Sequence, residues 1–564
     1  MKPIIVAAFV VLLSSPLVAQ QPDTVFTRAD SLRGMWSPER SCYDVRFYHL
    51  DVRVDPSDSS VRGYNDIVFD VVRPFTRMQV DLFANMAVDG ITLQGSTAQV
   101  TYTREADAVF VEFPKLLPAG SRHTLRFAYS GKPITAKRPP WDGGFSWDKD
   151  KSGRPWVMVT CQGTGASLWW PTKDHQADEP DSMMISIAVP PGLEDISNGR
   201  LRSTENLANG WKRYNWFVSY PINTYSVTVN IGNYAHFADT YQGKTPLTLD
   251  YYVLPDNLEK ARVHFAQVKP MMACFEHFFG PYPFPRDGYK LVECSHTGME
   301  HQSAVAYGNW YIGGYRGRAP SEAGLKFDFI IIHESAHEWW GNAITSRDVA
   351  DMWIHESFGA YAEALYVECQ YGYAEALKYI NGKRSNVGNR SPIIGPFNVA
   401  REGSGDMYDK GQLVLNTLRS VISNDSLWFD VLRGLMTRFS MQTVTGDDIT
   451  GFINQRTGTD YGYFFDQYLR NTKIPVLEVS SWKKGSESSA RYRWKADVKG
   501  FKMPIRVTTG KGTWGWIFPT TEWQTMTLGD LAPEDFAIEK DRFYVDVKLN
   551  YVYLDPATPE MRRR

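Results

Sequence analysis

A chain of 564 residues is several times the usual single-domain size of about 100 to 200 residues, so more than one core is required and three domains are expected. Its hydrophobic fraction of 43%, charged fraction of 22% and aromatic fraction of 14% are those of a folded globular protein and exclude a disordered one. The formal net charge of -2, with acidic and basic residues interspersed, leaves no positive footprint, which excludes a nucleic-acid partner.

In chain order, Lys2, the apolar run Ile4 to Leu13 and the closing Pro16-Leu17-Val18-Ala19 predict a secretory signal peptide over 1–19, cleaved near Ala19. The run is well short of the roughly 20 apolar residues that span a bilayer. No later stretch is long enough either, so a secreted or periplasmic protein without stable membrane insertion is expected. Residues 20–40 read as a linker. From Ser41 to about Tyr252, alternating segments such as Tyr48-His49-Leu50-Asp51-Val52-Arg53-Val54 are broken by Gly, Pro and Asp, which predicts an N-terminal β domain over 41–253.

After Pro255 the period changes. Helices are predicted over Leu258 to Phe279, Ala323 to Trp340, His355 to Gln370, Asp409 to Ile422, Leu427 to Phe439 and Asp447 to Arg456, giving a mostly α domain over 254–474. Over 475–564 alternation returns, as in Tyr492, Trp494, Ala496 and Val498, and predicts a small C-terminal β-sandwich. Its tryptophans (Trp482, Trp494, Trp514, Trp516, Trp523) are expected in its core rather than on a sugar-binding face. The fold class is therefore multidomain α+β. The five cysteines (Cys42, Cys161, Cys274, Cys294, Cys369) are odd in number and lack CxxC spacing, so they read as mostly buried apolar residues. A metal would have to come from His and carboxylate.

Such a set exists. His333-Glu334-Ser335-Ala336-His337 is an HExxH motif in a predicted helix. Residues four apart lie about 40° apart around the axis and about 6 Å along it, so both imidazoles project from one face. Glu334 sits beside that face, where it can reach an attacking water without binding the metal. A catalytic zinc needs a third protein ligand, and Glu356, nineteen residues beyond His337 at the start of the next helix, is the candidate. His355 and Glu363 compete with it. Glu338 and Asn342 are candidates for holding an imidazole or the following turn.

The string HESAHEWWGN, followed after this spacing by WIHESFGAYAE, resembles the gluzincin aminopeptidases of the aminopeptidase N and leukotriene hydrolase family. Thr297-Gly298-Met299-Glu300-His301 resembles that family's exopeptidase signature, which implies that Glu300 binds the substrate's free amine; the family usually has Asn where this chain has His301. Met407-Tyr408-Asp409-Lys410-Gly411 resembles the segment whose tyrosine stabilises the oxyanion, a role that falls to Tyr408. Thr160-Cys161-Gln162, with Pro171 nine residues on, resembles the segment that sets a glutamine or glutamate beside the amine, here Gln162.

The resemblance covers roughly Ser41 to Lys473. It implies a saddle-like β domain, a thermolysin-like catalytic domain and a β-sandwich, without the long C-terminal helical domain of larger members, hence a more open active site. It also implies one zinc ion per chain on His333, His337 and Glu356, and a peptide substrate with a free N-terminus held between Glu300 and Gln162. Glu334 would act as base, and the backbone of Gly298 and Met299 would pair with the extended peptide. A thermolysin-like endopeptidase and a catalytically silent secreted binding module are the alternatives. Oligomeric state and the preferred N-terminal residue are open at this level.

Overall fold

The computed structural model describes residues 25–484, 486–554 and 562–563, so the expected signal peptide lies outside the described residues. Two short helices, α1 (Arg28–Gly34) and α2 (Pro38–Ser41), lead into the first β region. Its largest sheet has seven strands, in the order Arg200–Asn206, Lys212–Val218, Ser182–Val189, Tyr43–Asp55, Ser60–Val71, Arg122–Gly131 and Met86–Leu93. The long Tyr43–Asp55 strand pairs parallel with Ser182–Val189 and antiparallel with Ser60–Val71. Its alternation puts Tyr48, Leu50, Val52 and Val54 in the core, which is the half-buried pattern read from the sequence. A four-stranded sheet (Glu194–Ile196, Asn230–Gly232, Pro155–Thr160, Gly144–Lys149) is interleaved with it along the chain, and Gln162 follows the end of its Pro155–Thr160 strand by two residues.

The expected boundary at 253 falls within one sheet. The hairpin Ala235–Gln242 and Pro246–Val253 does not join the first β region; it continues parallel into Tyr289–Glu293, Val305–Tyr307 and Gly298–Met299 as one five-stranded sheet. Leu247, Leu249, Tyr251 and Val253 belong to the same apolar core as the helices that follow. Alternation marked these residues as strand but carries no information on which sheet they would join. Gly298–Met299 is the edge strand of this sheet, antiparallel to Val305–Tyr307, with its other side unpaired.

The helical part starts with α3 (Leu258–His264) and α4 (Val268–Phe278), separated by a 3₁₀ turn at Phe265–Gln267 where the sequence reads as one helix. It continues through α5 (Phe329–Ala336), α6 (Trp353–Tyr371), α7 (Tyr373–Gly382), α8 (Asp406–Ile422), α9 (Asp425–Phe439), α10 (Gly446–Thr457) and α11 (Gly462–Phe465). α5 is shorter at both ends than the predicted Ala323 to Trp340. α7 was not predicted; Gly372, at φ +85°, ends α6 and lets the chain turn into it. Cys274 on α4 and Cys369 on α6 form a disulfide, whereas Cys42, Cys161 and Cys294 are free and buried. The two paired residues are 95 apart in sequence and meet only because α4 packs on α6.

The C-terminal strands form a five-stranded sheet (Gln524–Gly529, Glu487–Lys495, Val476–Lys484, Asp546–Leu554, Arg562–Arg563) and a two-stranded one (Ile505–Gly510, Thr513–Ile517). Their apolar side is continuous with the helical core, and the main chain is tied to it by Tyr468 Oη donating to the Tyr544 carbonyl at 2.6 Å and by Tyr544 N donating to Thr417 Oγ1 at 2.8 Å. Of the five tryptophans expected in this core only Trp494 is fully buried; Trp514 and Trp523 are exposed, and Arg491 and Arg493 stack on Trp523. No helix among the described residues is long and apolar enough to cross a membrane.

Candidate active site

α5 starts at Asp328, whose carboxylate accepts from Ile330 N at 2.9 Å and Ile331 N at 3.3 Å, a side-chain cap for two otherwise unpaired donors. The same carboxylate accepts from Tyr307 Oη and His264 Nε2, so the start of the helix is bolted to the sheet and to α3. His337 caps the other end but keeps right-handed helical angles (φ -65°, ψ -17°), so the i, i+4 geometry survives the early end of the helix. The two Nε2 atoms lie 3.3 Å apart. Each ring is fixed through its other nitrogen: His333 Nδ1 to Glu363 Oε1 at 2.8 Å, and His337 Nδ1 to the Trp340 carbonyl at 2.8 Å. The Nε2 atoms are therefore the ones left for a metal.

α6 brings the carboxylate. Glu356, in its first turn, sets Oε2 at 3.5 Å from both Nε2 atoms, and that oxygen is buried without a hydrogen-bond partner. Ligands at about 2.0 to 2.1 Å in tetrahedral array stand about 3.3 to 3.4 Å from one another, so the three observed separations are those of a tetrahedral site with one corner open. A buried unpaired carboxylate oxygen is costly, and a shared cation removes the cost. Close backbone approach makes the fit possible: a Cβ on Gly359 would lie 2.9 Å from His337 Cε1, so α6 can pass the ring only with glycine there.

The competing ligands are placed elsewhere. His355 accepts from Ser346 N at 2.8 Å and packs against Tyr225. Glu363, two turns beyond Glu356, holds His333 from behind. Glu338 accepts from Tyr282 Oη at 2.7 Å, from Ser303 N at 2.9 Å and from Asn342 Nδ2 at 3.4 Å, so it holds the following turn rather than an imidazole, and its partner there is Asn342. Its amide donates to the Glu300 carbonyl at 2.9 Å, fixing the strand end that carries Glu300.

A second trio, Glu300, Glu334 and His337, also stands close enough to share an ion. The hydrogen bonds decide between them. Both oxygens of Glu300 are engaged, Oε1 by Tyr225 Oη at 2.7 Å and Oε2 by Gln162 Nε2 at 2.9 Å, whereas Glu356 Oε2 is free. Gln162 also donates to Glu356 Oε1 at 2.9 Å, which aims the other oxygen at the imidazoles.

Burial pushes the Glu334 carboxyl up to about 7, against the pull of His333 and His337. Burial pushes Glu356 the same way, but the His337 and His333 imidazoles outweigh it and hold that carboxyl well below the usual range. Burial lowers His337, yet Glu300 and Glu356 carry it up to about 9. Three carboxylates around two imidazoles, with no Lys or Arg hydrogen-bonded or ion-paired to them among the described residues, form a cluster that attracts positive charge.

Glu334 and Tyr408 line the same cleft as Gln162, Gly298, Met299, Glu300, His333 and Glu356. The cleft therefore brings together the sequence-predicted site residues, apart from His337, which is buried behind it. Gly298 is fitted to Glu334: a Cβ there would come within 2.8 Å of Glu334 Oε1. Tyr408, in the first turn of α8, stacks its ring over His333 with centroids 5.9 Å apart. His301 is buried with both ring nitrogens unpartnered, and burial pushes its pKa down to about 3, so it stands neutral. Sequence reasoning missed Tyr225, whose hydroxyl holds Glu300, and Trp141, at the mouth. Tyr225 lies within the stretch that the resemblance covers, but a lone tyrosine carries no signal of its partner.

Residues 264–468 match the family described as the Peptidase family M1 domain. The chain carries a peptidase family M1 domain. The chain is 22% identical over 363 residues to endoplasmic reticulum aminopeptidase 1 of Mus musculus, covering 62% of this chain and 37% of that protein. It is 23% identical over 367 residues to a leucyl aminopeptidase of Saccharolobus solfataricus, covering 62% of this chain and 46% of that protein. The chain thus spans half or less of the length of these curated relatives. An M1 zinc metallopeptidase from Deinococcus radiodurans superposes with a TM-score of 0.63 at 20% identity, over 77% of this chain and 94% of that one, and shows the shared fold.

Proposed function

We propose that this chain is a zinc-dependent aminopeptidase that removes N-terminal residues from peptides. The observation that carries the reading is the Glu300–Gln162–Glu356 bridge, which sets an anionic socket beside the metal cluster, with Glu300 Oε2 3.7 Å from His337 Nε2. His333, His337 and Glu356 would hold one zinc per chain. When bound, zinc polarises the scissile carbonyl and lowers the pKa of a coordinated water toward about 7.

The side chains supply the rest. Glu300, braced by Tyr225, and the carbonyl oxygen of Gln162 receive the substrate's α-ammonium, which an internal peptide bond does not offer. The free edge of Gly298–Met299 pairs with the extended peptide as an added strand. Glu334, raised toward neutrality, takes a proton from the attacking water and returns it to the departing amine. The Tyr408 hydroxyl donates to the oxygen that gains charge as the carbonyl carbon becomes tetrahedral. A relative supports the substrate class: the Deinococcus M1 zinc metallopeptidase has been crystallised with a Tyr-Ser-Ala substrate.

On this reading the catalytic unit runs from the 235–253 hairpin to about Lys473, between the first β region and the C-terminal sheets. The test compares free-amine and N-acetylated forms of one peptide, with chelator and zinc restoration. Release of the first residue only from the free-amine form, lost on chelation and regained with zinc, is expected. Glu300→Ala should cut kcat/KM for that substrate by at least about 100-fold, the scale of a charged anchor left unpaired. Equal cleavage of the acetylated peptide would make the protein an endopeptidase instead.

The chain is exported on the same proposal, to the periplasm or beyond, with cleavage near Ala19. The Cys274–Cys369 disulfide supports an oxidising compartment. N-terminal sequencing of protein recovered outside the cytoplasm should begin close after Ala19; an intact Met1 would refute cleavage.

A further inference from the structure

The mouth of the cleft holds an aromatic residue that neither the metal nor the amine requires. Trp141 is 66% exposed, yet it lines the same cleft as Gln162, Glu300 and Tyr408. An exposed tryptophan beside a reaction centre is apolar surface held open for a partner. Its position is fixed by the fold. Gly144–Lys149 and Pro155–Thr160 form an antiparallel pair in which Gly144 faces Thr160, so Trp141, three residues before one strand, and Gln162, two residues after the other, come out at the same end.

The loop is rigid by construction. Asp142 accepts from Lys137 N at 2.7 Å and from Arg138 N at 2.9 Å, and Trp141 N donates to the Arg138 carbonyl at 2.9 Å. The Thr164 hydroxyl donates to the Asp142 carbonyl at 3.1 Å, which ties the loop to the segment carrying Gln162. Gly143, at φ +65°, lets the two segments touch, since a Cβ there would lie 2.3 Å from Thr164 Oγ1. The indole is thus displayed on the amine side of the site rather than left on a loose loop.

Other aromatics of the cleft continue the surface. Tyr315 and Phe329 meet edge to face at 5.5 Å, and Phe329 stacks on His333 at 5.2 Å. The charged groups of the lining, Glu300, Glu334, Glu356 and His333, are those of the amine and metal sites. A further acid, Glu402, lies beside Gly163, its Oε2 4.0 Å from where a Cβ would stand. The cleft therefore offers an incoming side chain aromatic faces and neither Lys nor Arg.

We propose that Trp141 is the specificity-determining residue of this site, stacking on the side chain of the substrate's first residue and selecting aromatic and bulky apolar residues there. The proposal rests on the aminopeptidase reading above. The first residue is the one concerned, because its side chain starts one bond from the amine held between Glu300 and Gln162, on the side where Trp141 stands. Acidic first residues are rejected by the surrounding carboxylates.

The test is a rate profile on phenylalanyl, leucyl, alanyl, lysyl and glutamyl chromogens for the zinc-loaded full chain and for Trp141→Ala and Trp141→Phe. For the wild type, kcat/KM for the phenylalanyl substrate should exceed that for alanyl by about 10-fold or more, with the glutamyl substrate lowest. In Trp141→Ala the phenylalanyl-to-alanyl ratio should fall by about 10-fold, and Trp141→Phe should recover most of it. A parallel fall on all substrates, an unchanged ratio, or a wild-type preference for lysyl over phenylalanyl, which would place recognition at Glu402, overturns the proposal. A wild-type protein inactive on every chromogen would instead refute the aminopeptidase reading and remove the basis for this one.

Discussion

Glu334→Gln is expected to lower kcat by roughly 10²- to 10⁴-fold, equivalent to about 3 to 5 kcal/mol of barrier, while the protein retains one zinc per chain. The two side chains have nearly the same shape, so the fit of Gly298 against Oε1 is preserved. The amide cannot accept a proton at neutral pH, and the proton transfer to and from the attacking water is lost. Glu334 is 8% exposed, inside the cleft, and reaches the cluster from beside the two imidazoles rather than from the position of Glu356. Metal content by elemental analysis is the decisive second readout. If zinc leaves together with activity, Glu334 is a ligand and the ion sits in the alternative trio with Glu300 and His337. If kcat stays within a few fold of wild type, the base is another group and the proposed chemistry fails.

How much of this was legible in the sequence depends on the range over which each residue acts. The spacing of His333, Glu334 and His337 is a local helical property, and the structure places all three accordingly even though α5 ends four residues early. Glu356 was separable from His355 by helical phase, and the structure sends His355 to Ser346 N and Glu356 to the imidazoles. Glu363 is the instructive case. Its presence near the cluster was readable, being two turns beyond Glu356 on the same face, but which nitrogen of His333 it would meet depends on how α5 and α6 cross. The disulfide, the sheet that takes in the 235–253 hairpin and the tie from Tyr225 to Glu300 have the same origin: each joins segments separated by tens of residues, which no local pattern specifies. The tryptophans of the C-terminal strands show the converse limit. Aromatic content suggested a core, but burial is set by which face of a strand each occupies, and only Trp494 faces inward completely.

The same Glu363 supports the second large effect. It is fully buried and accepts from His333 Nδ1 at 2.8 Å, Tyr379 Oη at 2.7 Å and Lys383 Nζ at 2.5 Å. Burial pushes its carboxyl upward, but Lys383 and His333 outweigh burial and hold it below the usual range, so it stays ionised. Glu363→Ala removes the anion, leaves a phenol and an imidazole N–H unpaired, and leaves the buried Lys383 ammonium with only Asp409, 3.4 Å away. The expected loss is about 3 to 5 kcal/mol of folding stability, read as the denaturation midpoint of the metal-free protein. Because His333 also loses the partner that fixes its orientation, zinc affinity should fall by about 10- to 100-fold. Glu363→Gln separates the two terms: its carbonyl oxygen can still receive the His333 N–H, so zinc affinity should stay near wild type, while Lys383 loses the nearer of its two anionic partners and stability drops. Competition titration with a chromogenic chelator measures the affinity of each variant. Unchanged zinc affinity in Glu363→Ala would show that the crossing of α5 and α6 alone orients His333, and that Glu363 serves only to neutralise Lys383.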